Sequence, residues 1–147
     1  MLVIDDDPDI RNLITWKLAQ AGYATQSAPD GEAGLAAAFS GAAAGLPGPD
    51  LIVVDWMMPR ITGIEVCRTL RDNPVTAHIP IILLTAKAQD GEIELGYAAG
   101  IDDYIVKPFS PRALLSRIEA LLARPGAGGD VDPAREDGTT SVDSRSA

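Results

Sequence analysis

Leu51 to Pro59 reads LIVVDWMMP: four aliphatic residues, an aspartate, and a proline four positions later. An unbroken aliphatic run this short suits a strand buried on both faces, as in a parallel sheet; a half-exposed strand would alternate polar and apolar residues. The aspartate that closes the run, Asp55, has two readings. It could open a turn, since its carboxylate readily accepts bonds from nearby backbone amides. It could instead be a reactive group delivered by the strand to the edge of a sheet. The other strands decide between these.

Away from this run the periodicity alternates. Met1 to Ile4 is another short apolar run, and from Pro8 the residues Ile10, Leu13, Ile14, Leu18 and Ala21 recur at helical spacing until Gly22. A short strand is expected at Tyr23 to Ser27, then a helix from near Asp30 through the alanines to about Phe39. Ser40 to Pro49, SGAAAGLPGP, reads as a loop. After the third strand, Leu51 to Val54, a helix over Gly63 to Arg71 places Ile64, Val66, Cys67 and Leu70 on its apolar side. The fourth strand is Ile79 to Leu84, followed by a helix over Asp90 to Ala99 that Gly91 and Gly96 weaken. Tyr104 to Val106 is the fifth strand, and Pro111 to Ala123 is an amphipathic helix carrying Leu114, Leu115, Ile118, Leu121 and Leu122. Strands alternating with helices in this way predict an α/β domain: a five-stranded, doubly wound parallel sheet with five flanking helices.

The 147 residues fit one domain with a single core, over 1–124, because residues 125–147 carry almost no large apolar side chains and read as a disordered tail or linker. Residues 1–124 contain no apolar run of the length that crosses a membrane, and the first residues read as a strand, so a cytoplasmic protein without membrane association is expected. The net charge of -9 argues against direct nucleic-acid binding, which requires clustered Lys and Arg. The single cysteine, Cys67, lies in an amphipathic pattern and reads as a core thiol, and a lone His78 makes neither a zinc site nor a Ser-His-Asp mechanism.

In a doubly wound sheet, ligands bind beyond the carboxyl ends of the strands. The first strand ends in Asp5, Asp6 and Asp7, the third in Asp55, the fourth in Thr85, the fifth in Lys107 and Pro108. Carboxylates held together repel, which a hard divalent cation relieves; oxygen-only donors favour magnesium, and manganese could substitute. Lys107 and Thr85 offer a positive charge and a hydroxyl to a phosphoryl group. A carboxylate can accept that group as an acyl phosphate, and on these grounds alone Asp5, Asp6 and Asp55 all remain candidates.

Together VIDDDP, VVDWMMP, LLTAKA and DDYIVKPFSP resemble, in order and spacing, the receiver domain of two-component response regulators, over residues 1 to about 124. The resemblance implies a flavodoxin-like sheet of strand order 2-1-3-4-5. It implies Asp55 as phosphoacceptor, with Asp6, Asp55 and the backbone carbonyl of Met57 as metal ligands. Asp5 would act through water or from just outside the ligand set, and Asp7 would cap the helix that begins near Pro8. Lys107 would hold a phosphoryl oxygen, Thr85 would be drawn toward the phosphoryl group, and Tyr104 would change burial as Thr85 moves. Met57 and Lys87 would flank the approach of water and set the rate of dephosphorylation. The partner implied is a sensor histidine kinase or a phosphotransfer protein. A cis Lys107–Pro108 bond fits the resemblance, though the sequence leaves the isomer open.

Trp56 and the segment from Asp102 onward look most like the branch whose output domain is a winged-helix DNA-binding domain and which pairs through the fourth helix, fifth strand and fifth helix. Asp102, Asp103, Arg117 and Arg124 fit that branch's dimer face. Ile93 with Ala113, and Ala98 with Glu119, depart from it. Two other functions compete: a magnesium-dependent aspartyl-phosphate phosphatase or phosphotransferase, and a phosphorylation-independent interaction module. The enzyme would have a second aspartate two residues after the nucleophile, where this chain has Met57. The module would be favoured by a missing acid or lysine, and both are present. The expectation is therefore a switch that is not a turnover enzyme.

Overall fold

A computed structural model describes residues 1–43, 45, 48–86 and 90–124, with backbone alone at 41–43 and 90. The expected tail at 125–147, Lys87, and residues 44, 46 and 47 of the expected loop lie outside the described residues. The elements are β1 (Leu2–Ile4), α1 (Pro8–Gln20), β2 (Gln26–Ala28), α2 (Gly31–Ala43), β3 (Ile52–Asp55), α3 (Gly63–Arg71), β4 (Ile81–Thr85), α4 (Asp90–Ala99), β5 (Asp103–Val106) and α5 (Pro111–Leu122). All strand pairings are parallel, in the order β2-β1-β3-β4-β5. This is the doubly wound, flavodoxin-like sheet that the sequence implies.

The side-chain period of two along each strand divides the core between the two sheet faces. Leu2, Ile4, Ile52, Val54, Ile81 and Leu83 point one way, against Ala38 of α2, Val66 and Leu70 of α3, and Ala99. Val3, Val53, Ile82, Leu84 and Ile105 point the other way, against Ile14 and Leu18 of α1 and Leu114, Ile118 and Leu121 of α5. Each fully buried aliphatic side chain contributes about 1.5–3 kcal/mol, which is why the strands read as continuous apolar runs. At Gly34 of α2 a Cβ would collide with the Ile4 side chain, so this helix reaches β1 only through a glycine.

Boundaries shift where tertiary bonding overrides local pattern. The second strand begins at Gln26, not Tyr23. Gly22, at φ +97°, and Tyr23 still bond back to Ala19 and Leu18 of α1, and pairing resumes where Gln26 N–H donates to the Met1 carbonyl (2.8 Å). α2 runs on to Ala43 through residues expected to be loop. Gly41 lowers helix stability by only about 1 kcal/mol, too little to end an alanine-rich helix. β4 starts two residues later than expected, since Ile79 N–H closes a turn onto Thr76 and Pro80 has no N–H to donate. α3 and α4 have the bounds expected of them. Asp7 caps α1 as expected, accepting from the N–H groups of Asp9 (2.9 Å) and Ile10 (3.4 Å).

Candidate functional site

The carboxyl ends of β1, β3, β4 and β5 meet at one edge of the sheet. Asp5 follows β1, Asp55 is the last residue of β3, Thr85 the last of β4, and Lys107 follows β5. In register, Asp55 faces Leu84 and Thr85 faces Val106; beyond them, Trp56 N–H donates to Leu84 O (2.9 Å) and Lys107 N–H to Thr85 O (2.7 Å). The backbone ladder thus fixes where these side chains emerge.

Asp5 is fully buried and Asp55 is 6% exposed, whereas Asp6 is exposed. Carboxylate oxygens of the three approach within 4.8 Å of one another. Lys107 Nζ lies 3.1 Å from Asp55 Oδ1 and 3.4 Å from Asp5 Oδ2. Burial, reinforced by the charge of Asp5, pushes the Asp55 carboxyl up to about 6 against the opposing pull of Lys107. Burial likewise raises Asp5, although the Asp7 N–H (2.9 Å) and Lys107 work the other way. Burial disfavours the Lys107 ammonium, but its bonds to Asp55 and then Asp5 outweigh this and its pKa is raised.

Three carboxylates facing one ammonium make a site with excess negative charge, built from oxygen donors alone and open to solvent at Asp6 and at Met57, which is 70% exposed. A hard divalent cation that keeps part of its water shell fits this donor set, and soft or imidazole-seeking metals do not.

The chain matches the description of the response regulator receiver domain over residues 1–119. It belongs to that family. It is 41% identical over 133 residues to the phosphate regulon transcriptional regulatory protein PhoB of Pseudomonas aeruginosa, covering 90% of this chain and 56% of that protein. It is 45% identical over 124 residues to the transcriptional regulatory protein ResD of Bacillus subtilis, covering 84% and 48%. The chain therefore spans about half the length of these curated relatives. The chemotaxis protein CheY4 of Vibrio cholerae superposes with a TM-score of 0.72 at 32% identity, over 81% of this chain and 94% of that one. Receiver domains are signalling domains that bind magnesium at an aspartate cluster and are phosphorylated by histidine kinases. Among the described residues no helix is long and apolar enough to cross a membrane.

Of the other residues singled out in the sequence, Tyr104 is half-buried on β5 and meets Tyr97 of α4 edge to face, with ring centroids 6.3 Å apart. The four residues of the expected dimer face pair within the chain, Arg117 with Asp103 (3.0 Å) and Arg124 with Asp102 (3.1 Å). The Lys107–Pro108 bond is cis.

Several supports of this receiver site escape a reading of the sequence. Arg11 Nη1 donates to the Asp5 carbonyl (2.7 Å) and holds the acidic loop from α1. Gly63 brings α3 against the end of β3. Its N–H donates to Trp56 O (2.9 Å), and a Cβ there would collide with the Asp55 carbonyl oxygen. Thr62 and Glu65 form a capping box at the start of α3, a T-x-x-E signal the sequence did contain. Arg60 bonds to Asp30 and Glu32 of the α2 N-terminus, and nothing local in the sequence marks that pairing.

Proposed function

We propose that this chain is a phosphorylation-dependent switch that accepts a phosphoryl group on Asp55 from a phosphohistidine of a sensor kinase or phosphotransfer protein, in a cytoplasmic setting. The observation that carries this reading is the convergence of Asp5, Asp6 and Asp55 on one edge, with Lys107 Nζ 3.1 Å from Asp55 Oδ1. An Asp55 carboxylate oxygen attacks phosphorus, the phosphorus–nitrogen bond of the donor breaks, and the donor imidazole leaves with the electron pair. Lys107 holds a phosphoryl oxygen, its ammonium exchanging part of its contact with Asp55 for the new negative charge. Asp6, Asp55 and the Met57 carbonyl would hold magnesium, with Asp5 acting through water. When bound, the cation supplies positive charge to the phosphoryl oxygens. The Met57 side chain is exposed, and in this reading it would flank the approach of water to Asp55. With Lys87 it sets the lifetime of the acyl phosphate, so Met57→Ala and Lys87→Ala should change its decay rate more than its formation.

The output is conformational. The new charge draws Thr85 inward, Tyr104 follows, and the surface of α4, β5 and α5 changes for a partner or a second copy. Asp102, Asp103, Arg117 and Arg124 lie on that face and would exchange or extend their internal pairs in a dimer. Residues 125–147 would act as a tail or linker beyond a receiver domain of 1–124. With Met57 where an aspartyl-phosphate enzyme has a second acid, the site lacks the general acid for rapid turnover.

Intact mass after incubation with magnesium and acetyl phosphate tests the reading. One added phosphate on the native chain, absent from Asp55→Ala, is the expected result; no adduct on a chain that binds magnesium would favour the interaction module.

A further inference from the structure

Among the described residues, Arg60 is the one residue other than glycine with a positive φ, at +69°. It is the centre of a three-residue turn, since Ile61 N–H donates to the Pro59 carbonyl at 2.9 Å. That turn with positive φ is rare and strained, and a side chain in it persists only where its surroundings hold it. Here they do so through the guanidinium. Nη2 lies 2.7 Å from Asp30 Oδ2 and Nε 3.1 Å from Glu32 Oε1, which ties the β3–α3 loop to the first turn of α2. Asp30 is itself fixed, because its other oxygen accepts from Ala33 N–H at 2.8 Å. The two segments also touch: a Cβ on Gly31 would lie 3.0 Å from Val66 and 3.1 Å from Ile61.

We infer that Arg60 is a positioning residue, whose fork onto Asp30 and Glu32 holds the loop after Asp55 in the shape that presents the Met57 carbonyl to the metal. The inference rests on the magnesium site proposed above. The loop is anchored at one side by Gly63 N–H on Trp56 O and at the other by the Arg60 fork. Releasing the fork lets the loop leave that shape, and apparent metal affinity falls in proportion to the fraction of chains that keep it. Arg60 is 57% exposed, so two such pairs are worth about a fivefold change rather than a thousandfold one.

Isothermal titration calorimetry with magnesium, and thermal unfolding without it, on native protein, Arg60→Ala and Arg60→Gly test this. Glycine relaxes the left-handed turn, so R60G should unfold at a higher temperature than R60A. Both variants should nevertheless bind magnesium about fivefold more weakly than the native chain. A merely structural arginine would change the unfolding temperature and leave the magnesium Kd within twofold of native in both variants, which overturns the inference alone. Native protein that takes up no magnesium overturns the site reading and the inference with it.

Discussion

Lys107 Nζ stands 3.1 Å from Asp55 Oδ1, so the ammonium that follows β5 neutralises the carboxylate that ends β3. Lys107→Ala removes the cation that opposes the burial of Asp55. The Asp55 carboxyl should then titrate above about 6, where it stands with the lysine present, and acetyl phosphate should add no phosphate at pH 7. Carboxyl-carbon NMR of Asp55 across pH checks the first part. A titration midpoint that stays put or falls would show that Lys107 does not govern this carboxylate.

The same burial sets a pH dependence of stability. The Asp55 pKa is raised from 3.8 in the unfolded chain to about 6 in the fold. Its stabilising contribution is therefore complete below pH 3.8 and is lost as pH rises through about 6, where the folded state must carry a buried carboxylate. Asp55→Asn escapes that loss. Without magnesium the variant should be more stable than native at pH 7.5, by about 1 to 3 kcal/mol, and equal to it near pH 4. Magnesium should stabilise the native chain at pH 7.5, and much less the variant. Urea midpoints at the two pH values provide the comparison, and a native chain that gains stability relative to Asp55→Asn on going from pH 4 to 7.5 contradicts the assignment.

Gly63→Ala places a methyl group against the Asp55 carbonyl oxygen and the Trp56 Cα. Either α3 retreats or the end of β3 bends. A stability loss of about 1 to 3 kcal/mol is expected, together with weaker magnesium binding, since the displaced backbone carries Asp55 itself. An alanine variant with native stability and native magnesium affinity would mean that the helix yields freely.

At the opposite end of the strands, Arg71 donates to the carbonyls of Gly100 (2.9 Å), Ala77 (2.9 Å) and Ile79 (2.7 Å) and pairs with Asp102 (2.9 Å). Asp102 in turn accepts from Ile81 N–H (2.8 Å) and pairs with Arg124 at the end of α5. Arg71→Ala leaves these acceptors short of a donor and should cost about 2 to 4 kcal/mol, measured by denaturant unfolding. Phosphate uptake by the fraction that remains folded should be unchanged, because none of these groups touches the acid cluster. The exposed Arg68→Ala should fall within about 0.5 kcal/mol of native.

How legible each part was depends on the range of the forces that form it. α3 was read with its observed bounds because its apolar period, Ile64, Val66, Cys67 and Leu70, lies within a few neighbouring residues. The strand ends were legible too, since a run of aliphatic residues that stops at Asp55, Thr85 or Lys107 states which side chain reaches the sheet edge. The second strand was misplaced at Tyr23 because β propensity is weak beside the bonds that close α1, and α2 was ended too soon because one glycine does not outweigh a row of alanines.

The order of elements, the parallel sheet and the residue types gathered at its edge follow from local periodicity and from burial on two faces, and so were open to reading residue by residue. It took the folded chain to show that Lys107 serves Asp5 and Asp55 together, that Arg60 reaches back to Asp30 and Glu32, and that Asp102 and Asp103 find their arginines within the chain. Those pairings join residues far apart in the chain, and charges carry no sequence period that announces a partner; the folded backbone brings them within hydrogen-bonding distance.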